Sequence, residues 1–159
     1  KEAKVNLEET KPFSIVNDIL FNEFGDRASD HFNIQNNIPE ELNIIADKNI
    51  LRLVFRNLIS NSMKFTPENG TITIDYHEVD NEYRFSVSDN GVGIKAEDHE
   101  KLLKEDVVST KGISGQKGKG FGLNLCKYFL SKCDGNIWFE SEKNKGTTFF
   151  FSFPNDLDI

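Results

Sequence analysis

The sequence predicts an α+β fold, a two-layer sandwich with three helices on one face of a mixed, mostly antiparallel sheet. Three segments place apolar residues at helical spacing, and about six show strand patterns, most of them in pairs joined by short turns. This order differs from the strand–helix alternation of a parallel, doubly wound sheet. The length of 159 residues suits one core, so we expect a single domain over residues 1–159.

The first half of the chain predicts two helices and an intervening strand. Pro12 suits the first turn of the first helix, where its missing N–H costs no hydrogen bond. Asp47 is a suitable N-cap for the second helix. The expected elements are a short strand or lead-in at 5–7, a helix at 11–30, a strand at 32–38 and a helix from 47 to about 65.

The second half predicts two hairpins with a helix between them. A glycine-, serine- and lysine-rich stretch at 108–119 contains almost no apolar residue and is expected to be mobile. The expected elements are strands at 71–76 and 83–88, a poorly patterned helical segment ending near 105, a helix at 120–133, and strands at 136–141 and 146–153.

The overall charge and the cysteines limit the possible functions and compartments. A formal net charge of -7 argues against a nucleic-acid-binding protein, which needs a dominant basic surface. No apolar run approaches the length of a membrane span, so the domain itself is not expected to be membrane-inserted. Cys126 and Cys133 lie about two helical turns apart, too far for a disulfide, and lack zinc spacing. Two reduced thiols favour a cytoplasmic location.

The second predicted helix carries a polar stripe on an otherwise apolar side. Asn57, Asn61 and Lys64 follow at i, i+4 and i+7, and therefore share one face with Ile50 and Val54. Amide oxygens are ligands that Mg²⁺ accepts, and a lysine one turn away favours phosphate. A pair of structural asparagines bonded to nearby backbone fits the same spacing, so this pattern alone leaves both interpretations open.

A first glycine-rich loop follows the strand that ends at Ser88. Asp89 can accept a hydrogen bond from an exocyclic amine such as that of adenine, and Gly91 and Gly93 let backbone approach a flat ligand. A simple turn remains an alternative. A dinucleotide-binding fingerprint fits the letters from Gly91 to Ala96, but no βαβ unit follows it.

A second glycine-rich loop opens the third predicted helix. Gly118, Gly120 and Gly122 precede helical N–H groups that attract anions, and Lys111, Lys117 and Lys119 concentrate positive charge there. A flexible, solvated loop is the alternative for this stretch. The Walker A pattern fails because Ile113 and Phe121 stand where it needs glycine and lysine.

Taken in order, these motifs resemble the GHKL ATPase superfamily, and most closely the catalytic ATP-binding domain of bacterial sensor histidine kinases. The run Arg56–Thr66 resembles the N box, Asp89–Ile94 the first glycine box, Gly118–Leu123 the second, and Lys145–Phe149 the closing strand. The resemblance spans nearly the whole chain.

The resemblance implies the Bergerat fold, with ATP and Mg²⁺ bound under a mobile lid. It implies a metal ligand in Asn61, phosphate contacts from Asn57 and Lys64, and an adenine contact from Asp89. The remaining site residues that it implies are Phe65 and Thr148 near the base, Gly91 and Gly93 beside Asp89, and Lys117, Gly118, Gly120 and Gly122 in the phosphate loop and lid hinge.

The same resemblance implies a fragment of a larger kinase. The chain would bind Mg-ATP and supply the γ-phosphate to a histidine on a separate dimerisation and histidine phosphotransfer domain, with a response regulator receiver downstream. His31, His77 and His99 do not occupy the family's acceptor position, and residues 101–110 lack its phenylalanine-rich box. The parent protein would be a membrane-anchored sensor with this domain in the cytoplasm.

Two other functions remain open from the sequence. One is an ATPase or serine-kinase relative of the same superfamily. The hydrolysing members use a glutamate near the N box, whereas Arg52, Leu53 and Arg56 stand here. The other is an interaction module that kept the fold and lost the nucleotide.

Overall fold

The computed structural model describes residues 4–98 and 122–155 as a five-stranded sheet, a small two-stranded sheet and helices packed on the larger one. The strands are β1 (Glu8–Thr10), β2 (Asn33–Asn36), β3 (Ile44–Ala46), β4 (Thr71–Val79), β5 (Glu82–Asp89), β6 (Asn136–Glu142) and β7 (Gly146–Pro154). The larger sheet has the order β2-β4-β5-β7-β6. Only β2 and β4 pair in parallel, which confirms the predicted mixed, mostly antiparallel sheet.

Each of the three predicted helices has a helical counterpart in the structure, and the first of them is interrupted. The first predicted helix begins at Pro12 as expected but changes its geometry twice before it ends. Gly25, with φ 51°, separates its last two pieces. The elements are α1 (Pro12–Asp18), a π-helix (Ile19–Phe24), α2 (Asp26–Ser29), α3 (Lys48–Phe65), a 3-10 turn (Ala96–Asp98) and α4 (Leu123–Ser131).

The long helix α3 has the boundaries that its local chemistry dictates. The Asp47 carboxylate accepts hydrogen bonds from the backbone N–H groups of Asn49 and Ile50, so it caps the helix as predicted. At the other end Thr66 is extended, because Pro67 disfavours helical backbone in the residue before it.

The core lies between α3 and the central strands of the larger sheet. Phe55 of α3 is fully buried and meets Phe85 of β5 and Phe151 of β7 edge-on, with ring centroids 5.3 and 5.0 Å apart. Residues 85, 87 and 89 of β5 pair with 151, 149 and 147 of β7, and these positions share the face toward α3. That face therefore carries both the aromatic core and, at its end, Asp89.

Two short strands depart from the sequence prediction. The N-terminal strand occupies Glu8–Thr10, so Val5–Leu7 is a lead-in, one of the two predicted alternatives. The strand pairs with Ile44–Ala46, which the sequence did not predict. The total is seven strands among the described residues, against about six expected. Both strands have three residues, so their pattern is too short to detect and they depend on each other for backbone hydrogen bonds.

Two further expectations concern cysteines and membranes. Cys126 and Cys133 are both buried and free of disulfides, as predicted. Within residues 4–98 and 122–155, none of the helices combines the length and the apolar character that crossing a bilayer requires. The expected helical segment after Ala96 is seen only as the turn Ala96–Asp98, and its remainder, the stretch 108–119 and the start of the third predicted helix lie outside the described residues.

Replacing Phe55 with alanine should lower the free energy of unfolding by about 3–5 kcal/mol, because it leaves a cavity between α3 and the sheet. Chemical denaturation followed by circular dichroism measures this. The matched control is Phe21→Ala, which removes a ring that is 72% exposed and should change stability by less than about 0.5 kcal/mol. Equal losses in the two variants would contradict the packing described above.

Candidate functional site

The polar stripe of α3 lies at the rim of the core, where the sequence placed it. Asn61 is only 5% exposed, whereas Asn57 and Lys64 are half-buried. Phe65, at the end of the same helix, is a buried member of the hydrophobic core. The helix therefore presents two amides and an ammonium group in a row, directly beside apolar packing.

The side chain of Asn57 is held from two sides. Its Nδ2 donates a hydrogen bond to the carbonyl oxygen of Leu53 at 3.0 Å and lies 3.6 Å from the Sγ of Cys126 on α4. Its Oδ1 faces Gly122, where an added Cβ would lie 2.8 Å away. Gly122 also has φ 66°, so glycine suits this position for two independent reasons.

Asp89 ends β5 with a largely buried carboxyl group. Its Oδ1 accepts hydrogen bonds from the N–H of Gly91 at 2.9 Å and the N–H of Thr147 at 3.3 Å. Burial raises the pKa of Asp89, and these two N–H groups and the nearby Ser62 hydroxyl oppose that rise. Both of these backbone donors reach Oδ1, and no backbone N–H of the described residues is recorded on Oδ2.

Two hydroxyl groups near the end of α3 were not singled out from the sequence. Ser62 and Thr66 are 1% and 4% exposed, and neither hydroxyl has a hydrogen-bond partner among the described residues. The Ser62 hydroxyl is near enough to Asp89 to lower its pKa but is not in hydrogen-bond geometry. Buried hydroxyls are nearly always paired, so these two hydroxyls are candidates to bond a polar ligand or water.

The first glycine loop closes tightly onto the end of α3. At Gly91 an added Cβ would lie 2.1 Å from the carbonyl oxygen of Phe65, which also accepts the N–H of Val92 at 3.2 Å. No side chain other than hydrogen fits at Gly91 without moving backbone. Because this contact lies beside Asp89, it fixes the carboxyl group relative to the asparagines of α3.

The same loop is fastened to the β6–β7 hairpin on its other side. Gly93 has φ 74°, and an added Cβ there would lie 2.1 Å from the carbonyl oxygen of Glu142. The N–H of Ile94 donates to the Ser141 hydroxyl at 2.7 Å, and the N–H of Asn144 donates to the carbonyl oxygen of Val92 at 2.6 Å. Gly91 and Gly93 are thus required by two different close contacts.

Thr147 and Thr148 lie on opposite faces of the sheet. Thr147 is paired with Asp89 across β5 and β7 and shares its face toward α3, whereas Thr148 is paired with Ser88. The Thr148 hydroxyl forms a hydrogen bond with the Ser88 hydroxyl. The structure therefore places Thr147 on the same sheet face as Asp89 and Thr148 on the opposite face, and the adenine contact of Thr148 stays a prediction.

The remaining predicted residues cannot be placed. Lys117, Gly118 and Gly120 lie outside the described residues, as does His99. Within the ranges that the structure describes, no group of three or more histidine, cysteine or acidic side chains could hold a metal ion. The metal role of Asn61 rests on its amide chemistry and stays a prediction.

Comparison with known proteins assigns this arrangement to a family. Residues 46–157 match the model of the histidine kinase-, DNA gyrase B- and HSP90-like ATPases. The chain belongs to this ATPase family. The matched residues include α3, the first glycine loop with the strand β5 that precedes it, and the β6–β7 hairpin. They therefore contain every described part of the site.

The relatives of this ATPase domain include sensory kinases. One is the adaptive-response sensory kinase SasA of Gloeothece citriformis, which is 33% identical over 138 residues, covering 85% of this chain and 35% of the relative. The catalytic domain of the histidine kinase ThkA is 25% identical, with a TM-score of 0.80 and coverage of 94% and 96%. The chain is thus a catalytic domain of the histidine kinase type, and it spans about a third of the length of its curated relatives.

A further solved structure shows the fold in a larger assembly. The histidine kinase ThkA in complex with the response regulator protein TrrA is 24% identical to this chain, with a TM-score of 0.77. The match covers 98% of this chain and 43% of the ThkA chain. At 24% identity, this comparison supports the fold of the domain and nothing further.

Replacing Asp89 with asparagine should stabilise the ligand-free domain at neutral pH. Burial raises the pKa of Asp89 above its ordinary value of 3.8, so the ionised form is disfavoured in the folded state. Its cost is present above the folded pKa and disappears as the pH falls toward 3.8. The melting temperature of Asp89→Asn should therefore be higher than that of wild type at pH 7, and the difference should be smaller near pH 4. Exposed Asp80→Asn is the control, and a destabilised Asp89→Asn at pH 7 would contradict the assignment.

Proposed function

We propose that this domain binds Mg-ATP and supplies its γ-phosphate for phosphorylation of a histidine on another domain of the same kinase. The observation that carries the proposal is the buried carboxyl group of Asp89. It lies near the Ser62 hydroxyl of α3, the helix that also bears Asn57 and Asn61. Such convergence of polar groups on a protein interior is typical of a ligand site.

The Asp89 end of the site suits the adenine base. An ionised carboxylate accepts hydrogen bonds, and adenine offers an exocyclic amine to it. Guanine presents a carbonyl oxygen at the equivalent position, which the carboxylate would repel. The unpartnered hydroxyls of Ser62 and Thr66 can complete this end, directly or through water. This chemistry favours ATP over GTP. Thr147, which shares the sheet face of Asp89, also lies at this end of the site.

The other end of the stripe suits magnesium and phosphate. Magnesium binds through few protein oxygens together with substrate phosphates, and the Asn61 amide offers one such oxygen. When bound, the metal neutralises phosphate charge. Lys64 adds a cation on the same helical face, and Lys117, Gly118, Gly120 and Gly122 are proposed to complete the phosphate loop. Phosphoryl transfer then depends mainly on positioning and charge, which these groups supply.

The acceptor histidine is proposed to come from outside the described domain. His31 is exposed and lies 3.5 Å from Glu68, and His77 bonds the Ser86 hydroxyl on the sheet face opposite α3. Neither histidine faces Asp89. We propose a dimerisation and histidine phosphotransfer domain as the acceptor, and a response regulator receiver as the downstream partner, in the cytoplasm. ThkA, seen with TrrA, provides the analogy.

An ATP-hydrolysing relative is the second candidate, and α3 argues against it. The 18 residues of α3 include no aspartate or glutamate, so this helix offers no carboxylate to activate water. Its two arginines point to the other side, where Arg52 bonds Asp18 and Glu23, and Arg56 also bonds Glu23. The helix that holds the amides therefore brings no general base to them.

Removing Asn61 and Asp89 together should abolish magnesium-dependent nucleotide binding. Each charge-assisted or metal contact is worth about 1.5–3 kcal/mol, so each single alanine variant should weaken Mg-ADP binding roughly tenfold to a hundredfold. Isothermal calorimetry measures both. Asn43→Ala, which removes an exposed amide bonded to Glu9, is the control. Unchanged affinity in the folded Asn61→Ala, Asp89→Ala double variant would reject the site.

The kinase and ATPase candidates separate in a turnover assay. The isolated domain should release phosphate from ATP slowly or not at all, because α3 supplies no general base. It should label a histidine phosphotransfer domain of the parent kinase when that domain is added with Mg-ATP. Fast hydrolysis without the acceptor would favour the ATPase, and no calorimetric heat with Mg-ATP or Mg-ADP would favour a non-enzymatic interaction module.

A further inference from the structure

Asn57 occupies a junction between three parts of the fold. Its amide lies against the preceding turn of α3 at Leu53, against Cys126 in the middle of α4, and against Gly122 at the start of α4. The chain leaves the undescribed stretch 99–121 at Gly122. Within the described residues, Asn57 therefore connects the polar stripe to Gly122, the last glycine of the second glycine loop.

The two ends of the Asn57 amide meet different chemistry. Nδ2 has two hydrogens, and two acceptors lie within reach: the Leu53 carbonyl oxygen at 3.0 Å and the Cys126 Sγ at 3.6 Å. Sulfur is a weak acceptor, but Cys126 is fully buried and its position on α4 is fixed by the core. With both hydrogens directed into the protein, Nδ2 has none to offer to a ligand.

The opposite amide orientation is disfavoured. Exchanging the two ends would place Oδ1 against the Leu53 carbonyl oxygen, so two acceptors would face each other at 3.0 Å. On the other side, Gly122 provides the space that Oδ1 occupies, since an added Cβ there would lie 2.8 Å from that oxygen. Leu53 and Cys126 thus both accept from the Nδ2 end of the amide, and Gly122 leaves space for the Oδ1 end.

We infer that Cys126 is a positioning residue that, together with Gly122, holds Asn57 as a hydrogen-bond acceptor toward the magnesium–nucleotide complex. An acceptor cannot bond a phosphate oxygen, which is itself an acceptor. It can accept a hydrogen bond from a water molecule on the metal. This inference rests on the proposed function, and it differs from the direct phosphate contact that the resemblance implied for Asn57.

The first test compares the two buried cysteines of the chain. Cys126→Ala removes the sulfur next to Asn57, whereas Cys133→Ala removes a buried thiol at the end of the same helical region, without a contact to Asn57. The readout is the ratio of ADP affinity with Mg²⁺ to that with EDTA, measured by calorimetry. We expect Cys126→Ala to lower this ratio about threefold to tenfold, the worth of one modest hydrogen bond.

The remaining variants separate positioning from general stability. Cys126→Ser keeps an acceptor beside Nδ2 and should retain most of the magnesium enhancement, while Cys133→Ala should leave it unchanged even if the melting temperature falls. Gly122→Ala should lower the enhancement by displacing Oδ1. Gly25→Ala is its control, because Gly25 also has positive φ but an added Cβ would meet only the Phe21 carbonyl oxygen at 3.7 Å.

A second measurement needs no nucleotide. The side-chain amide protons of Asn57, assigned by their loss in Asn57→Asp, should exchange slowly in wild type and in Cys126→Ser. They should exchange faster in Cys126→Ala. Equal exchange and equal magnesium enhancement in Cys126→Ala and wild type would overturn the inference.

The two proposals fail in different ways. A wild-type domain that binds no nucleotide rejects the proposed function, and amide exchange then decides the orientation of Asn57 alone. A wild-type domain that binds Mg-ADP, with Cys126→Ala matching Cys133→Ala in magnesium enhancement and in exchange, rejects only the role of Cys126. A loss of enhancement in Cys126→Ala together with its retention in Cys126→Ser supports the inference.

Discussion

The packing of α3 against the central strands determines the geometry of the whole candidate site. Phe55 meets Phe85 and Phe151 edge-on in the core, and this contact fixes the rotation of the helix about its axis. Because side chains follow a period of 3.6 residues, fixing one buried face also fixes where every polar residue of the helix lies. Asn57 and Asn61 therefore reach the rim of the core through the same interaction that stabilises the fold.

Elements with strong local signals could be predicted from the sequence, and elements that depend on distant partners could not. Both ends of α3 were predicted: Asp47 caps the helix through its own backbone neighbours, and the end near residue 65 agrees with Pro67, which disfavours helical backbone at Thr66. The strand Ile44–Ala46 was missed because three residues carry no periodicity, and it exists only through pairing with Glu8–Thr10. The π-helix within the first predicted helix has the same apolar spacing as an α-helix, so the pattern could not distinguish them.

The candidate site divides in the same way. The motif spacings brought Asn57, Asn61 and Asp89 forward as candidates. The structure places both asparagines on α3, and Asp89 next to the loop that contacts Phe65 at the end of that helix. Which of Thr147 and Thr148 shares the face of Asp89 depends on which of them is paired with it across β5 and β7. The sequence does not give this register, so the choice could not be made from the sequence alone. The contact of Asn57 with Cys126 joins residues 69 positions apart, and no local pattern reports such a contact.

Several groups of the candidate site carry costs that a bound polar ligand would relieve. Burial disfavours the ionised form of Asp89, and the hydroxyls of Ser62 and Thr66 are buried without partners among the described residues. The Asp89 carboxyl group accepts the N–H groups of Gly91 and Thr147, but apolar side chains of similar size would serve the core better than the two hydroxyls. Polar groups kept in place at such a cost are typical of a site organised before its ligand arrives. Because a nucleotide would offer hydrogen bonds to these groups in the folded state alone, its binding and the stability of the domain are coupled.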